Sequence, residues 1–211
     1  VESLEKVRNL NIDAYKIASS DITDSYLQKY ISKEKKPIIL STGMSDKKDI
    51  KNCIKNFKTR NLVILHCVSL YPCEKKQANL NRIISLKENF NYAIGYSDHC
   101  TGINAAITSI FLGAKVIEKH FTFNKKKIGL DHKLSADYND LKAICDFAKD
   151  YQYLFGRKKI NPSPYEKSFR KLFRKGIYFR KNVKKGKKIL EKDIIIRRPM
   201  NLSLIHISAP T

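Results

Sequence analysis

The chain has 211 residues, room for one medium domain or a domain with a small appendage, and its 42% hydrophobic content is enough to pack a core, which excludes a disordered segment. The formal net charge is +22, but the lysines run through every helix-like segment and connection, without an Arg-rich cluster or RNA-binding aromatic motif, so a solvated surface and no nucleic-acid partner is expected. Five cysteines without a CxxC pair point to reduced thiols in a cytoplasmic protein, and no apolar run reaches membrane-spanning length, so neither a disulfide framework nor a membrane partner is expected.

Val1 falls inside a helix-like stretch, so the sequence reads as a fragment. "AYKIASSD" reads as a strand, and "SYLQKYISKE" as a helix with Tyr26, Leu27, Tyr30 and Ile31 on one face. "KPIILSTGM" is a second strand, followed by a helix from near Ser45 with Ile50, Cys53, Ile54 and Phe57 at helical spacing. "LVILHCVS", "YAIGYSDH" and "KVIEKHFT" are the third, fourth and fifth strands, with a helical "GINAAITSIFLGA" between the last two. A long helix over about Tyr138–Phe155 follows, with Leu141, Ile144, Cys145, Ala148 and Tyr151 inward and Gly156 as its stop.

Apolar strands alternating with amphipathic helices argue a parallel sheet covered by helices. Polar residues gather at the C-terminal end of every strand: Ser19 to Asp21, Ser41 to Gly43, His66 to Ser69, Ser97 to His99, Glu118 to His120. A doubly wound sheet concentrates its site at one switch point, whereas a β/α barrel gathers its site from all strand ends. The expected fold is therefore α/β, a partial (β/α)8 TIM barrel comprising about the last five β/α units, over residues 1–156. Residues 157–175 are expected to be a linker, because Pro162 and Pro164 argue against regular structure. Residues 176–201 change texture, with short β-rich runs around a Lys-Lys-Gly turn, and read as the start of a second small domain.

His99 and His120 each end a strand, one β/α unit apart. Adjacent parallel strands lie about 4.8 Å apart, so imidazoles at equal height can share a metal ion and leave positions for water and substrate. Lys16 sits just inside the first strand, where a buried ammonium needs an anion. Ser19, Ser41, Thr42, Gly43, Ser69 and Ser97 bring hydroxyls and flexible backbone to the same face, as a phosphate or carboxylate requires. Glu118, Asp98, Asp21 and Asp131 are candidate acid/base and sugar-hydroxyl partners.

"KIASSDITD", "KPIILSTGM", "LHCVSLYP", "GYSDH", "EKHFT" and "GLDHKLSA" occur in the order and spacing of bacterial sialic acid synthases, which make N-acetylneuraminate, legionaminate and pseudaminate. The resemblance runs from about Ala14 to Met200, and "RKNVKKGKKILEKDIIIRRP" is similar to the start of that family's C-terminal antifreeze-like (SAF) domain. It implies a metal-dependent condensation of phosphoenolpyruvate with the open-chain aldehyde of an N-acetylated amino sugar. On that resemblance, His99 and His120 bind Mn²⁺ or Mg²⁺, and Lys16, Ser19, Ser41, Ser69 and Ser97 hold phosphoenolpyruvate. Asp21, Tyr71, Glu118 and Asp131 position the sugar, with His120, Glu118 and Asp21 the catalytic set. The resemblance also implies a homodimer in which the SAF domain brings Arg198 to the partner's sugar site.

Departures from the pattern are Ser69, where many members have Asn, Met200, where Gly is usual, and the absence of the family's N-terminal strands. The tail "NLSLIHISAPT" resembles, but for one residue, the read-through translation of a transposon sequencing adaptor, so residues 202–211 are expected to be non-native. Two rival readings stand beside this one. Another phosphoenolpyruvate-dependent 3-deoxy sugar acid synthase would share the barrel and chemistry without the SAF-like appendage. A basic polyanion-binding protein would use the positive surface instead. A five-unit chain by itself is expected to be inactive.

Overall fold

Five apolar segments assemble side by side in chain order: β1 (Tyr15–Ile17), β2 (Ile38–Ser41), β3 (Leu62–Cys67), β4 (Ala93–Asp98) and β5 (Ile117–Lys119) form one fully parallel sheet. Parallel neighbours require a crossover. Here each is a helix: α1 (Ser25–Ile31), α2 (Lys47–Lys55), α3 (Asn81–Asn89) and α4 (Asn104–Phe111), with α5 (Tyr138–Phe155) after β5. The computed structural model describes residues 4–6, 10–57, 59 and 61–200. The chain divides into two units, Val1–Gly156 and Arg157–Thr211, each described by itself.

The sheet is curled. At about 4.8 Å per strand, a flat sheet would hold β1 and β5 about 19 Å apart. Yet Lys16 Nζ on β1 lies 3.3 Å from Glu118 Oε2 on β5, a contact that only a trough-shaped sheet allows. The period-2 alternation of a strand sends one set of side chains to the helices and the other into the trough. Ile17, Leu40, Ile64 and Ile94 are register neighbours on the helix side and join Ile31, Ile50, Cys53, Ile83 and Leu86 in the main core. The trough side carries Lys16, Cys67, Ser97 and Glu118, the last three in register across β3, β4 and β5. This is the expected partial barrel of five β/α units.

Local sequence chemistry sets the helix starts. Asp46 caps α2 and Asp137 caps α5, each in a reciprocal box with the aspartate three residues on. Some inward faces differ from expectation. On α1, Tyr26 is 71% exposed, and Gln28 is buried instead, its amide donating to Ile22 O at 2.7 Å and its oxygen accepting from Asn56 at 2.7 Å. On α5, Ile144 is buried and Phe147 and Tyr151 pack beside it against α4, whereas Leu141 and Cys145 are exposed. The face is turned because α4 covers only one flank of α5. Leu141, Cys145 and Ala148 line a groove of about 710 Å³ next to β5, which pairs with no strand but β4 among the described residues.

In the second unit, the segment expected to be irregular contains a helix, α6 (Pro164–Phe173). Pro164 occupies its first turn, where no amide donor is needed, and Ser163 caps it: Ser163 Oγ accepts from Glu166 N at 3.1 Å while the Glu166 carboxylate accepts from Ser163 N at 2.7 Å. The proline starts the helix. β6 (Gly176–Phe179) and β7 (Ile194–Arg197) then form an antiparallel pair, with the Lys-Lys-Gly turn between them and Gly186 at φ +88°. The Arg197 guanidinium lies 4.6 Å from the Tyr178 ring centroid. The tail at 202–211 falls outside the described residues. No helix among the described residues is long and apolar enough to cross a membrane.

Candidate active site in the sheet trough

Ser97 on β4 and Glu118 on β5 are register partners, so the next trough-facing residues, two positions on, are His99 and His120. Their ring centroids lie 5.4 Å apart at an interplanar angle of 56°. The Tyr71 ring stands 4.1 Å from His99 and 5.8 Å from His120, bringing the β3–α3 connection to the same place. A cleft of about 200 Å³ opens among Ser97, His99, Glu118 and His120.

Each imidazole has an outer partner on Nδ1. His99 Nδ1 lies 2.9 Å from Val68 O; a carbonyl only accepts, so Nδ1 carries the proton and Nε2 keeps its lone pair. His120 Nδ1 lies 3.8 Å from an Asp131 carboxylate oxygen. An outer acceptor on the far ring nitrogen is the arrangement that orients a histidine toward a metal, and His99 has one in Val68 O. No group of three or more His, Cys, Asp or Glu side chains suited to a metal occurs among the described residues. With His99 and His120 as its protein donors, an ion seated here would take its remaining ligands from water and substrate. Burial pulls the His99 pKa down, but the Cys67 thiol and the Val68 carbonyl outweigh it and leave it above the ordinary histidine value.

Around this pair runs an arc of hydroxyls. Gly43 N donates to Ser19 Oγ at 2.9 Å. A Cβ at Gly43 would stand 2.2 Å from Ser69 Oγ and 2.8 Å from Ser19 Oγ, so glycine alone leaves the space into which both hydroxyls converge. Ser41 Oγ and Ser69 Oγ are buried with no hydrogen-bond partner among the described residues. A buried polar group left unpaired costs about 1–3 kcal/mol, which an oxygen-rich ligand would offset. Ser97 Oγ donates to Glu118 Oε1 at 2.7 Å, and Lys16 approaches the other carboxylate oxygen. Lys16 is therefore not buried as expected: its side chain is 35% exposed at the open trough, with Glu118 as its anion.

Two other expectations change. Asp98, a candidate acid/base group by sequence, points to the helix side, fully buried and paired with Lys119 at 2.8 Å. Asp21 accepts from the Ser20 hydroxyl at 3.3 Å, at the turn that follows β1. Arg198 lies in the second unit, directly after β7. Cys67, expected only to be a reduced thiol, places its sulfur 4.0 Å from His99 Nδ1 within the trough row. Burial raises the Cys67 pKa, but hydrogen bonds involving His99, Ser19 and Ser97 bring it below the ordinary thiol value. The alternation within "LHC" is the sequence signal for its direction, since His66 is turned to the helix side.

The NeuB family model matches residues 1–160. The chain belongs to the NeuB family. Among its curated relatives are an N,N'-diacetyllegionaminic acid synthase of Campylobacter jejuni, 36% identical over 95% of this chain and 62% of that protein, and a pseudaminic acid synthase of the same species, 37% identical over 94% and 58%. The crystal structure of an N-acetylneuraminic acid (sialic acid) synthetase from Leptospira borgpetersenii in complex with citrate superposes with a TM-score of 0.74 at 31% identity, covering 80% of this chain and 60% of that one. This NeuB-family chain thus spans about three-fifths of the length of these relatives. The likeness carries the α/β half-barrel with it, and the trough site lies inside the matched region.

Proposed function

We propose that the trough is the active site of a nonulosonic acid synthase, condensing phosphoenolpyruvate with the open-chain aldehyde of an N-acetylated, N-acetylmannosamine-like amino sugar and releasing phosphate, in cell-surface glycan biosynthesis. The observation that carries this reading is the pair of buried, unpartnered hydroxyls, Ser41 and Ser69, beside the Gly43 cradle. The names of the relatives support the same class of product.

In this reading Lys16 and the hydroxyls of Ser19, Ser41, Ser69 and Ser97 hold the phosphate and carboxylate of phosphoenolpyruvate. Such charge-assisted bonds are the strong ones. Carbon C3 attacks the aldehyde carbon, the aldehyde oxygen takes a proton, water adds at C2, and phosphate leaves by C–O cleavage to give the 2-keto acid. Glu118, fixed between Ser97 and Lys16, is the carboxylate at the reacting end of the cleft and accepts from the incoming hydroxyl or water. Mn²⁺ or Mg²⁺ held by His99 and His120 supplies polarisation of the aldehyde oxygen when bound. Tyr71 and Asp131 border the histidines and are assigned to the sugar. Asp21 and Arg198 enter only through the family resemblance, as does the homodimer in which Arg198 of a SAF domain serves the partner's site. The five free thiols support a cytoplasmic setting.

The test, on the enzyme completed with the family's N-terminal strands, is phosphate release from phosphoenolpyruvate across a panel of aldoses. Release that depends on N-acetylated amino sugars supports the proposal. Release driven instead by phosphorylated aldoses lacking the N-acetyl group would overturn it in favour of a 3-deoxy sugar acid synthase.

A further inference from the structure

Behind the two histidines, on the helix side of the sheet, lies a polar knot among apolar residues. Asp98 and Lys119 are register partners on β4 and β5, each the residue immediately before a histidine, with side chains 0% and 3% exposed. Lys119 Nζ donates to Asp98 Oδ2 at 2.8 Å and to Cys100 O at 2.7 Å. Asp98 Oδ1 accepts from Cys100 N at 2.8 Å and from the Tyr96 hydroxyl at 3.3 Å. A buried ion pair is weak evidence of stabilisation, because apolar residues of similar volume are often as stable or more so. Its presence calls for another reason.

We infer that Asp98 and Lys119 are positioning residues that set the two histidines against each other. This rests on the metal role given to His99 and His120 above. Lys119, the residue before His120, grips the chain on both sides of His99, through the Asp98 carboxylate and the Cys100 carbonyl. β5 has only three residues and three register pairs with β4; past its end the chain is held from the other side, where Ala136 N donates to His120 O at 2.7 Å, so its setting against β4 itself leans on side-chain ties. Of those three pairs, Ser97–Glu118 ties the trough side and Asp98–Lys119 the helix side. The chain after His99 is also tied, since Cys73 N donates to His99 O at 2.9 Å. Loss of the knot frees the last step of β5 to shift, and a shift of a fraction of an ångström at His120 changes a two-imidazole seat directly. The Asp98 and Lys119 side chains are engaged with each other and the Cys100 backbone on the helix side, so their effect on the seat is through the chain, with Lys119 also bordering the cleft.

The test is binding of Mn²⁺ alone, read from the electron paramagnetic resonance signal of the free ion, with melting temperature measured in parallel. Four chains are compared: wild type, His99→Ala, Asp98→Asn and the double variant Asp98→Asn/Lys119→Met. The double variant removes both charges at nearly constant volume, so Mn²⁺ affinity falls at least tenfold as the two imidazoles lose their fixed spacing, with the melting temperature as the control for stability. A purely structural role would move stability and leave affinity alone. Wild-type Mn²⁺ affinity in the double variant, with His99→Ala abolishing binding, overturns the positioning role and spares the metal seat. No Mn²⁺ binding by wild type overturns both. Should the double variant fail to fold, Asp98→Asn, which keeps the side-chain volume and leaves Lys119 its Cys100 acceptor, decides the matter by the same criterion.

Discussion

Replacing Ser41 or Ser69 with alanine separates a binding hydroxyl from a structural one. In the free protein each Oγ is buried and lacks a partner among the described residues. Such a group carries about 1–3 kcal/mol of uncompensated desolvation, and alanine removes it while leaving a gap the size of one oxygen. A net gain near 1 kcal/mol per site follows, or about 2–4 °C in melting temperature for a chain of this size. Toward phosphoenolpyruvate the sign reverses. A hydrogen bond to a charged group is worth about 1.5–3 kcal/mol, so each serine lost weakens binding about 10- to 150-fold. Thermal melts of the free chain and calorimetric titration with phosphoenolpyruvate read the two effects on one sample. A lowered melting temperature with unchanged affinity refutes the reasoning, for the hydroxyls would then be holding the fold.

Gly43→Ala drives a methyl into Ser69 and Ser19, so phosphoenolpyruvate binding falls at least 100-fold for a stability cost of about 1–3 kcal/mol; an affinity within threefold of wild type would show the cradle to be incidental. In an enzyme completed with the family's N-terminal strands, Lys16→Ala raises KM for phosphoenolpyruvate at least tenfold with a smaller effect on KM for the sugar, and equal changes in both count against a phosphate contact. His66 gives a pH dependence. Burial holds its pKa below the ordinary histidine value, its Nε2 donates to Ala78 O, and its Nδ1 has no partner among the described residues to receive a second proton. The folded state therefore binds fewer protons than the unfolded one, and this contribution is complete above the unfolded pKa near 6.5 and lost as pH falls through the lower folded value. Urea midpoints of wild type should decline below about pH 6.5 more steeply than those of His66→Phe, and parallel curves would remove His66 from the acid limb. In a dimer of the proposed kind, Arg198→Ala subunits mixed with His120→Ala subunits recover activity, and verified mixed dimers that stay inactive refute the cross-subunit role.

The half-barrel is legible in the sequence because the apolar runs, the helical periodicity and the polar strand ends all agree. The histidine pair is legible for a narrower reason: both residues stand at the same step past β4 and β5, and register carries that equality into space. Asp98 misleads because "SDH" looks like one polar cluster, whereas alternation turns its middle residue to the other face. The helix at Pro164–Phe173 escapes a reading by composition because proline stops a helix everywhere but at its first turn, and Ser163 with Glu166 is the available signal. On α5 the sequence offers apolar residues on more than one flank, and only the position of α4 decides that Ile144, Phe147 and Tyr151 are covered and Leu141 is not. The unpartnered hydroxyls have no signature of their own, for a serine's lack of partners is a property of its neighbours.

The ion pair between Lys16 and Glu118 bears on how the chain acquires its site. From β1 to β5 each strand pairs with its neighbour in sequence, so the parallel sheet can grow by short-range additions as the chain leaves the ribosome. Lys16 and Glu118 stand about a hundred residues apart along the chain, a separation whose closure is slow and comes late. The hydroxyls of Ser19 after β1, Ser41 on β2 and Ser69 after β3 come from the first part of that growth, while Lys16 gains its counter-charge, and His99 its histidine neighbour, only when β5 docks. Chains arrested before residue 117 should therefore bring the hydroxyls together without the charges set against them, making the last strand the step at which a folded sheet becomes a chemical one.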